Sequence, residues 1–410
     1  MKDRISGALW TLLRVRLVYL VNLFHLSIAL GYGGLLIRAT LDNILWRFDF
    51  ISFYTGGTII RHGMGSQLYE LAIQALIQQN ILGFTVIFYD GVLSYLNPPH
   101  FALLMIPFSL LPLNLAFWCW IALQIMVLIL SIKRLYLITS DWNKIDRQLL
   151  FCAFLAFPPL GFQFLHGQLS SIILWFIIEF YLSIKNNKDF WAGFWLALAA
   201  IKPQFILFLI IMISASRRWW SLISLSIVMA IIFGMTAVMI SPSIWLRYLE
   251  LLVKTGNYFD RFGIYPKMMY NLKGTLTLIL GSNNAPLIQM LSLGILGIGM
   301  IGTSALWART QWLPLSPKFD LYLAFTLILG AFLNPHQYLH DCLIITLPIV
   351  IFYEYLRRTN RSTRTLTVFL LTWPALFLIE EFVLRGYLGI RLPVVLIFIL
   401  LVWIGINIFQ

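Results

Sequence analysis

The feature that most limits what this chain can fold into is an apolar run long enough to cross a lipid bilayer, repeated many times. Runs of roughly 17 to 22 residues, wound as helices rising about 1.5 Å per residue, cover a ~30 Å hydrocarbon core. A water-soluble core has no use for so many of them. Composition agrees: 60% of the 410 residues are hydrophobic, 11% are charged, and mean hydropathy is +0.86, so little polar surface is left to face water. We therefore expect an all-α polytopic membrane protein forming a single integral membrane domain over residues 1–410. The first run, Leu17 to Leu36, has the basic flank of a signal peptide but no small-residue cleavage site, and it exceeds an h-region. It reads as a retained first span. Cys119, Cys152 and Cys342 lie in or beside apolar runs without metal-ligand spacing, which indicates neither a disulfide framework nor a zinc site.

The net charge of +13 invites a nucleic-acid reading, but the basic residues are scattered among loops and do not form one patch. Topology accounts for them better, and no nucleic-acid partner is expected. "FALLMIPFSLLP", residues 101 to 112, is too short to span and reads as an interfacial helix. Further candidate spans run from about 115 to 132, 149 to 164, 168 to 184, 190 to 201, 203 to 214 and 219 to 240. Others run from about 285 to 305, 320 to 334, 342 to 356, 365 to 379 and 393 to 409, which makes about twelve transmembrane helices. The pair flanking Lys202-Pro203 is short and fits either a partly inserted hairpin or one kinked helix. With twelve spans, Lys2, Arg4, Arg14, Arg16, Lys133, Arg134, Lys144, Arg147, Lys185, Lys188, Arg217, Arg218, Arg309, Lys318, Arg357, Arg358, Arg361 and Arg364 share one side. They are 18 of the 29 basic residues and sit near span ends or in short loops, so that side and both termini are expected to be cytoplasmic.

The other side, expected to be extracytoplasmic, collects the chemically unusual segments. It holds a first loop over 39–112 with juxtamembrane helices and a second large loop over 241–284. In the first, Leu68, Leu71, Ala72, Ala75 and Leu76 follow a helical period that suggests an amphipathic helix at the membrane surface. Asp49, set among aromatics in "RFDFISFYTGG", fits a general base or a helix N-cap. Lys202 in "AAIKPQF" fits a phosphate ligand or a lysine snorkelling to the interface beside a Pro kink. "NPHQYLHD" sets His336 and His340 four apart with Asp341 adjacent. On a helix the two histidines would share a face, suiting metal or phosphate, but the Glu of the zinc-protease motif is missing. "FLHGQLSS" puts His166 and Gln168 at a span entrance, either as site residues or as a plain turn. Arg261, Lys267 and Lys273 could attract an anionic headgroup or simply be solvated, and Glu179 fits a helix-helix contact. P-loops, nucleophile elbows and paired carboxylates are missing, and so are the internal repeats common in transporters.

Taken in order, "DFISFYTGG" followed by "HG" at His62, "NPPHFALLMIPFSLLP", "HGQLSSIIL", "WAGFWLALAAIKPQFILFL" and "NPHQYLHDCLIITLP" resemble a known family. It is the bacterial polyprenol-phosphate-mannose-dependent mannosyltransferases of glycosyltransferase family 87, which have the GT-C fold. The resemblance covers most of the chain. It implies a plasma- or inner-membrane enzyme that moves a hexose, with mannose the expected sugar, from a polyprenyl-phosphate donor to a hydroxyl of a lipid or glycan acceptor, with inversion. It places a catalytic Asp at Asp49 and donor-phosphate ligands among Lys202, His336 and His340. Tyr54, Gly56, Gly57, His62, His166, Gln168, Asp341 and Arg261 become candidate substrate contacts. No cofactor or metal is implied, since a lipid monophosphate has no diphosphate for a metal to bridge. Two departures touch the donor end: "NPP" stands where family members often have "YPP", and His340-Asp341 stands where many have a His pair. The rival from another class is a transporter or flippase for a lipid-linked substrate.

Overall fold

A computed structural model describes residues 2–86, 89–256 and 258–409, with side chains for 16–86, 90–256 and 258–408. The side chains of Lys2, Arg4 and Arg14 lie outside the described residues. Regular structure among the described residues is helical throughout, apart from one isolated bridge between Arg261 and Ile264. Among the described residues seven segments are long and apolar enough to cross a membrane: Arg16–Leu41, Leu113–Ile138, Lys144–His166, Trp219–Met239, Ser282–Arg309, Leu339–Arg358 and Arg364–Leu384. The other expected spans are helical but shorter, as in Ser170–Lys185, Asp189–Ala199, Leu207–Ala215 and Pro317–Leu333. Length and apolarity thus carry seven spans, against the twelve expected. Lys144–His166 is broken at Phe157-Pro158, where proline removes a ladder donor.

The helices run between two chemically different ends. One end holds ion pairs: Arg134 with Glu179 (2.5 Å), Lys185 with Asp320 (2.8 Å), and Arg358 with Asp320 (3.3 Å). Glu179 is therefore a helix-helix contact, also accepting from the Trp175 indole at 3.2 Å. The opposite end carries the loops in which the unusual residues lie.

The stretch from 189 to 218 is a hairpin. Asp189–Ala199 runs away from the ion-paired end, Leu207–Ala215 returns, and Arg218 closes the base by pairing with Asp189. Lys202 and Pro203 form the tip, where Pro203 opens a single 3-10 turn. Close packing fixes the hairpin against its neighbour, because a Cβ on Gly193 would lie 2.0 Å from the Ser221 carbonyl oxygen.

The segment 39–112 folds into short helices. Phe50–Arg61 is buried along almost its whole length, and Pro99–Leu104 and Ile106–Ser109 pack around it. Leu71–Leu82 is a helix, but the protein-facing side is the one bearing Gln74, Ile77 and Gln78. Both glutamines pair with an extended segment: Gln78 accepts from Leu93 N (3.1 Å) and donates to Leu93 O (2.7 Å), and Gln74 accepts from Tyr95 N (2.8 Å). Backbone groups with no sheet partner thus find side-chain amides. The expected apolar stripe is not one face: Leu68 precedes the helix and is fully buried, and Ala72 and Leu76 are exposed beside Gln79 and Asn80.

Candidate active site

Asp49 occupies the N-cap position of Phe50–Arg61, but its carboxylate does not cap the helix. Instead Asp49 Oδ2 accepts from Gln168 Nε2 at 2.7 Å and lies 3.0 Å from His166 Nδ1. The N-cap reading fails for a local reason, since the carboxylate finds better partners across the fold. Those partners are delivered by a tight turn. Gly167 ends Pro158–His166 in the left-handed region (φ +65°), and its carbonyl accepts from the buried Trp120 indole at 2.7 Å. A Cβ there would meet Phe50 Cβ at 2.9 Å, so glycine allows residues 166 to 168 to close on the aspartate.

Gln168 bridges to the next group. Its Oε1 accepts from Lys202 Nζ at 2.9 Å, while Lys202 also donates to Asp341 Oδ1 at 2.7 Å. Both ends of that pair are buried, the side chains of Lys202 and Asp341 being 9% and 1% exposed. Lys202 therefore does not snorkel, because its charge has a partner inside. Asp341 is further held by Ser170 Oγ (3.3 Å), by Tyr338 N (3.2 Å) and by His340 Nε2 (3.5 Å).

These groups face a cavity of about 460 Å³. Asp49, Gln168, Lys202, His336, His340 and Asp341 all line it, so six of the sequence candidates converge, and His166 joins them from behind Asp49. Tyr54, Gly56 and Gly57 are placed elsewhere, in packing. Tyr54 donates to Leu111 O at 2.8 Å, and Cβ atoms on Gly56 and Gly57 would meet the Tyr95 ring at 2.7 Å and Met105 O at 2.6 Å. His62 and Arg261 are exposed and off the cavity wall. His336 and His340 do not share a helical face. Residues 334–338 are irregular and Leu339–Ile345 is a 3-10 helix, because the segment pairs with another loop: Tyr270 N donates to Gln337 O (2.8 Å) and Gln337 Nε2 to Tyr270 O (3.1 Å).

That pairing introduces a lysine that spacing alone could not raise above its neighbours. Asn271 caps Leu272–Leu280 by accepting from Gly274 N (2.7 Å) and ties the cap to Asn334 O (2.7 Å). Lys273 in the first turn is thereby carried into the cavity, only 6% exposed, beside the Phe259 ring at 4.9 Å. Ser170 and Tyr338 are further contributors, legible in hindsight only as the polar residues next to "HGQ" and between the two histidines.

Electrostatics follow from this crowding. Burial works against ionising Asp49, but the His166 charge and hydrogen bond, with His340 and Gln168, outweigh it and hold the carboxyl well below its usual range. Burial pulls Lys273 down to about 8 and His336 down to about 4, so His336 is neutral near pH 7 and can only offer a neutral hydrogen bond. Asp49, His166 and His340 place one donor atom each within 4.8 Å of one another and could close around a metal ion.

The arrangement offers an ionised carboxylate, fixed by two donors, across one cavity from buried cations. It suits taking a proton from a hydroxyl while negative charge grows elsewhere. No curated protein and no solved structure matches the chain. The sequence model of glycosyltransferase family 87 matches residues 95–334, a stretch that contains His166, Gln168, Lys202 and Lys273, while Asp49 and 336–341 flank it. With more than half of its length matched, the chain belongs to glycosyltransferase family 87.

Proposed function

We propose that this membrane glycosyltransferase moves a hexose, mannose first among the candidates, from a polyprenyl-phosphate donor to a hydroxyl of a lipid or glycan acceptor. Transfer is inverting and takes place on the extracytoplasmic face of the plasma or inner membrane in a GT-C-like fold. The observation that carries this reading is the shared cavity of Asp49 with buried cations. In one displacement the acceptor oxygen bonds to the anomeric carbon, the carbon–phosphate oxygen bond breaks with its electron pair left on the phosphate, and the acceptor proton passes to Asp49. A nearby cation stabilises charge that develops on the leaving phosphate. Double displacement would need a second, free carboxylate as nucleophile. The other cavity carboxylate, Asp341, is engaged by Lys202, Ser170 and Tyr338, which favours inversion. A lipid monophosphate leaves no diphosphate for a metal to bridge, so the transfer is read as metal-independent.

Sidedness is supported by the basic short loops at the ion-paired end, including Lys133, Arg134, Lys185, Lys188, Arg217 and Arg218, which by the positive-inside rule face the cytoplasm. A flippase would need a path between both ends. At the ion-paired end Asp320 instead sits buried between Lys185 and Arg358. The test is to incubate the purified protein with a panel of polyprenyl-phosphate sugars and candidate acceptors and to identify products by mass spectrometry. Asp49→Asn should keep the fold, since an amide can still bond Gln168, yet lower turnover about 10²- to 10⁴-fold, the span of general-base catalysis. Undiminished turnover by that variant would refute the role of Asp49.

A further inference from the structure

Lys202 cannot be treated as a free cation. Its Nζ is already shared between Asp341 Oδ1 at 2.7 Å and Gln168 Oε1 at 2.9 Å, so the pair presents no net charge to the cavity. Lys273 is different. It lines the same cavity and is 6% exposed, and among the described residues its ammonium has no carboxylate or hydrogen-bond partner, only the face of Phe259 at 4.9 Å. Burying a lone ammonium is costly, which marks such a residue as a candidate ligand site. Its surroundings are also two-faced. His336 stands electrostatically between Lys273, Lys202, Asp341 and Asp49, while Leu252, Leu272, Leu293, Leu296 and Leu333 make up an apolar stretch of wall. Leu293 and Leu296 lie on Ala285–Arg309, a helix with few fully buried positions among the described residues, and Leu293 is half exposed.

Resting on the reading above, we propose that Lys273, with His336 beside it on the cavity wall, receives the phosphate of the lipid-linked donor, and that the lipid tail leaves along Leu293, Leu296 and Leu333. Lys202 is then a positioning residue that orients Gln168 and so Asp49. When the glycosidic bond breaks, the phosphate's new negative charge falls on Lys273. The apolar strip selects a lipid phosphate over a free one, because inorganic phosphate would leave those leucines unfilled.

The test measures binding of polyprenyl phosphate, inorganic phosphate and neutral polyprenol to full-length protein in lipid nanodiscs, alongside donor KM. Wild type should bind polyprenyl phosphate well above the other two. Lys273→Met should weaken that binding and raise donor KM about 10- to 100-fold, the loss of one charge-assisted contact, with acceptor KM unmoved. Lys273→Arg should restore most of it, which also controls for folding, and Lys273→Gln replaces the Met variant if that one does not purify. Unchanged lipid-phosphate binding in the Met or Gln variant overturns the assignment, and equal affinity for inorganic phosphate overturns the lipid part. Transfer by wild type with donor KM insensitive to Lys273 sinks this inference alone. Lys273-dependent binding without transfer from any polyprenyl-phosphate sugar sinks the donor proposed above and leaves this inference standing.

Discussion

Replacing Lys202 by Met removes the ammonium but leaves the Asp341 carboxylate buried, with only Ser170 Oγ, Tyr338 N and a His340 nitrogen at 3.5 Å to compensate. At 2.7 Å and an effective dielectric of about 20, the gross attraction of the pair is about 6 kcal/mol. Desolvation offsets part of that, and stranding one member of a buried pair typically costs about 3–5 kcal/mol. Lys202→Met should therefore lower the thermal midpoint in detergent strongly. Asp341→Asn should cost less, because Lys202 keeps Gln168 as an acceptor. The double variant Lys202→Met/Asp341→Asn should recover about 2 kcal/mol or more of the summed single losses, the coupling expected of groups in direct contact. Turnover should stay impaired in it, because Gln168 has lost the group that fixes its carbonyl. Additive losses in stability would refute the view that Lys202 is neutralised from within.

Three further outcomes follow. With Lys273 lowered to about 8, donor kcat/KM should be constant below that pH and fall above it as the free-enzyme lysine loses its proton. The facing groups Asp49 and His336 finish titrating at much lower pH, and Lys273→Arg should abolish the decline. EDTA should leave turnover unchanged, while added Zn²⁺ should inhibit by occupying Asp49, His166 and His340, and His340→Ala should relieve that inhibition in a titration. Gly167→Ala should cost about 2 kcal/mol or more, since φ is +65° and the new methyl meets Phe50, and turnover should fall with it because Gln168 moves off Asp49.

Much of this was legible because membrane helices announce themselves and stray polar residues stand out against them. Asp49, Gln168, Lys202 and the 336–341 segment were visible as exceptions to an apolar background, and the cavity brings them together. What spacing could not reveal was partnership. Tyr54, Gly56 and Gly57 follow the cavity-lining Phe53 by one, three and four positions, yet the turn of the helix directs them into packing. Lys273 looked like its exposed neighbours Arg261 and Lys267. Its burial depends on the Tyr270–Gln337 pairing between segments far apart in the chain. The polar segment from Glu380 to Arg391 is occupied internally. Glu380 accepts from Gly386 N (2.8 Å) and Leu392 N (3.1 Å), and Arg391 donates to Lys267 O (2.9 Å), bracing the loop that leads to Lys273.

Among the described residues few positions of Ala285–Arg309 are fully buried, while its Leu293 and Leu296 form cavity wall, so one face of this helix borders the site and the other is left open. On the proposed reading, a donor would arrive sideways from the leaflet and not from the aqueous phase. Turnover would then track the mole fraction of donor among neighbouring lipids, and diluting the enzyme's membrane with inert phospholipid would slow it even at constant total donor.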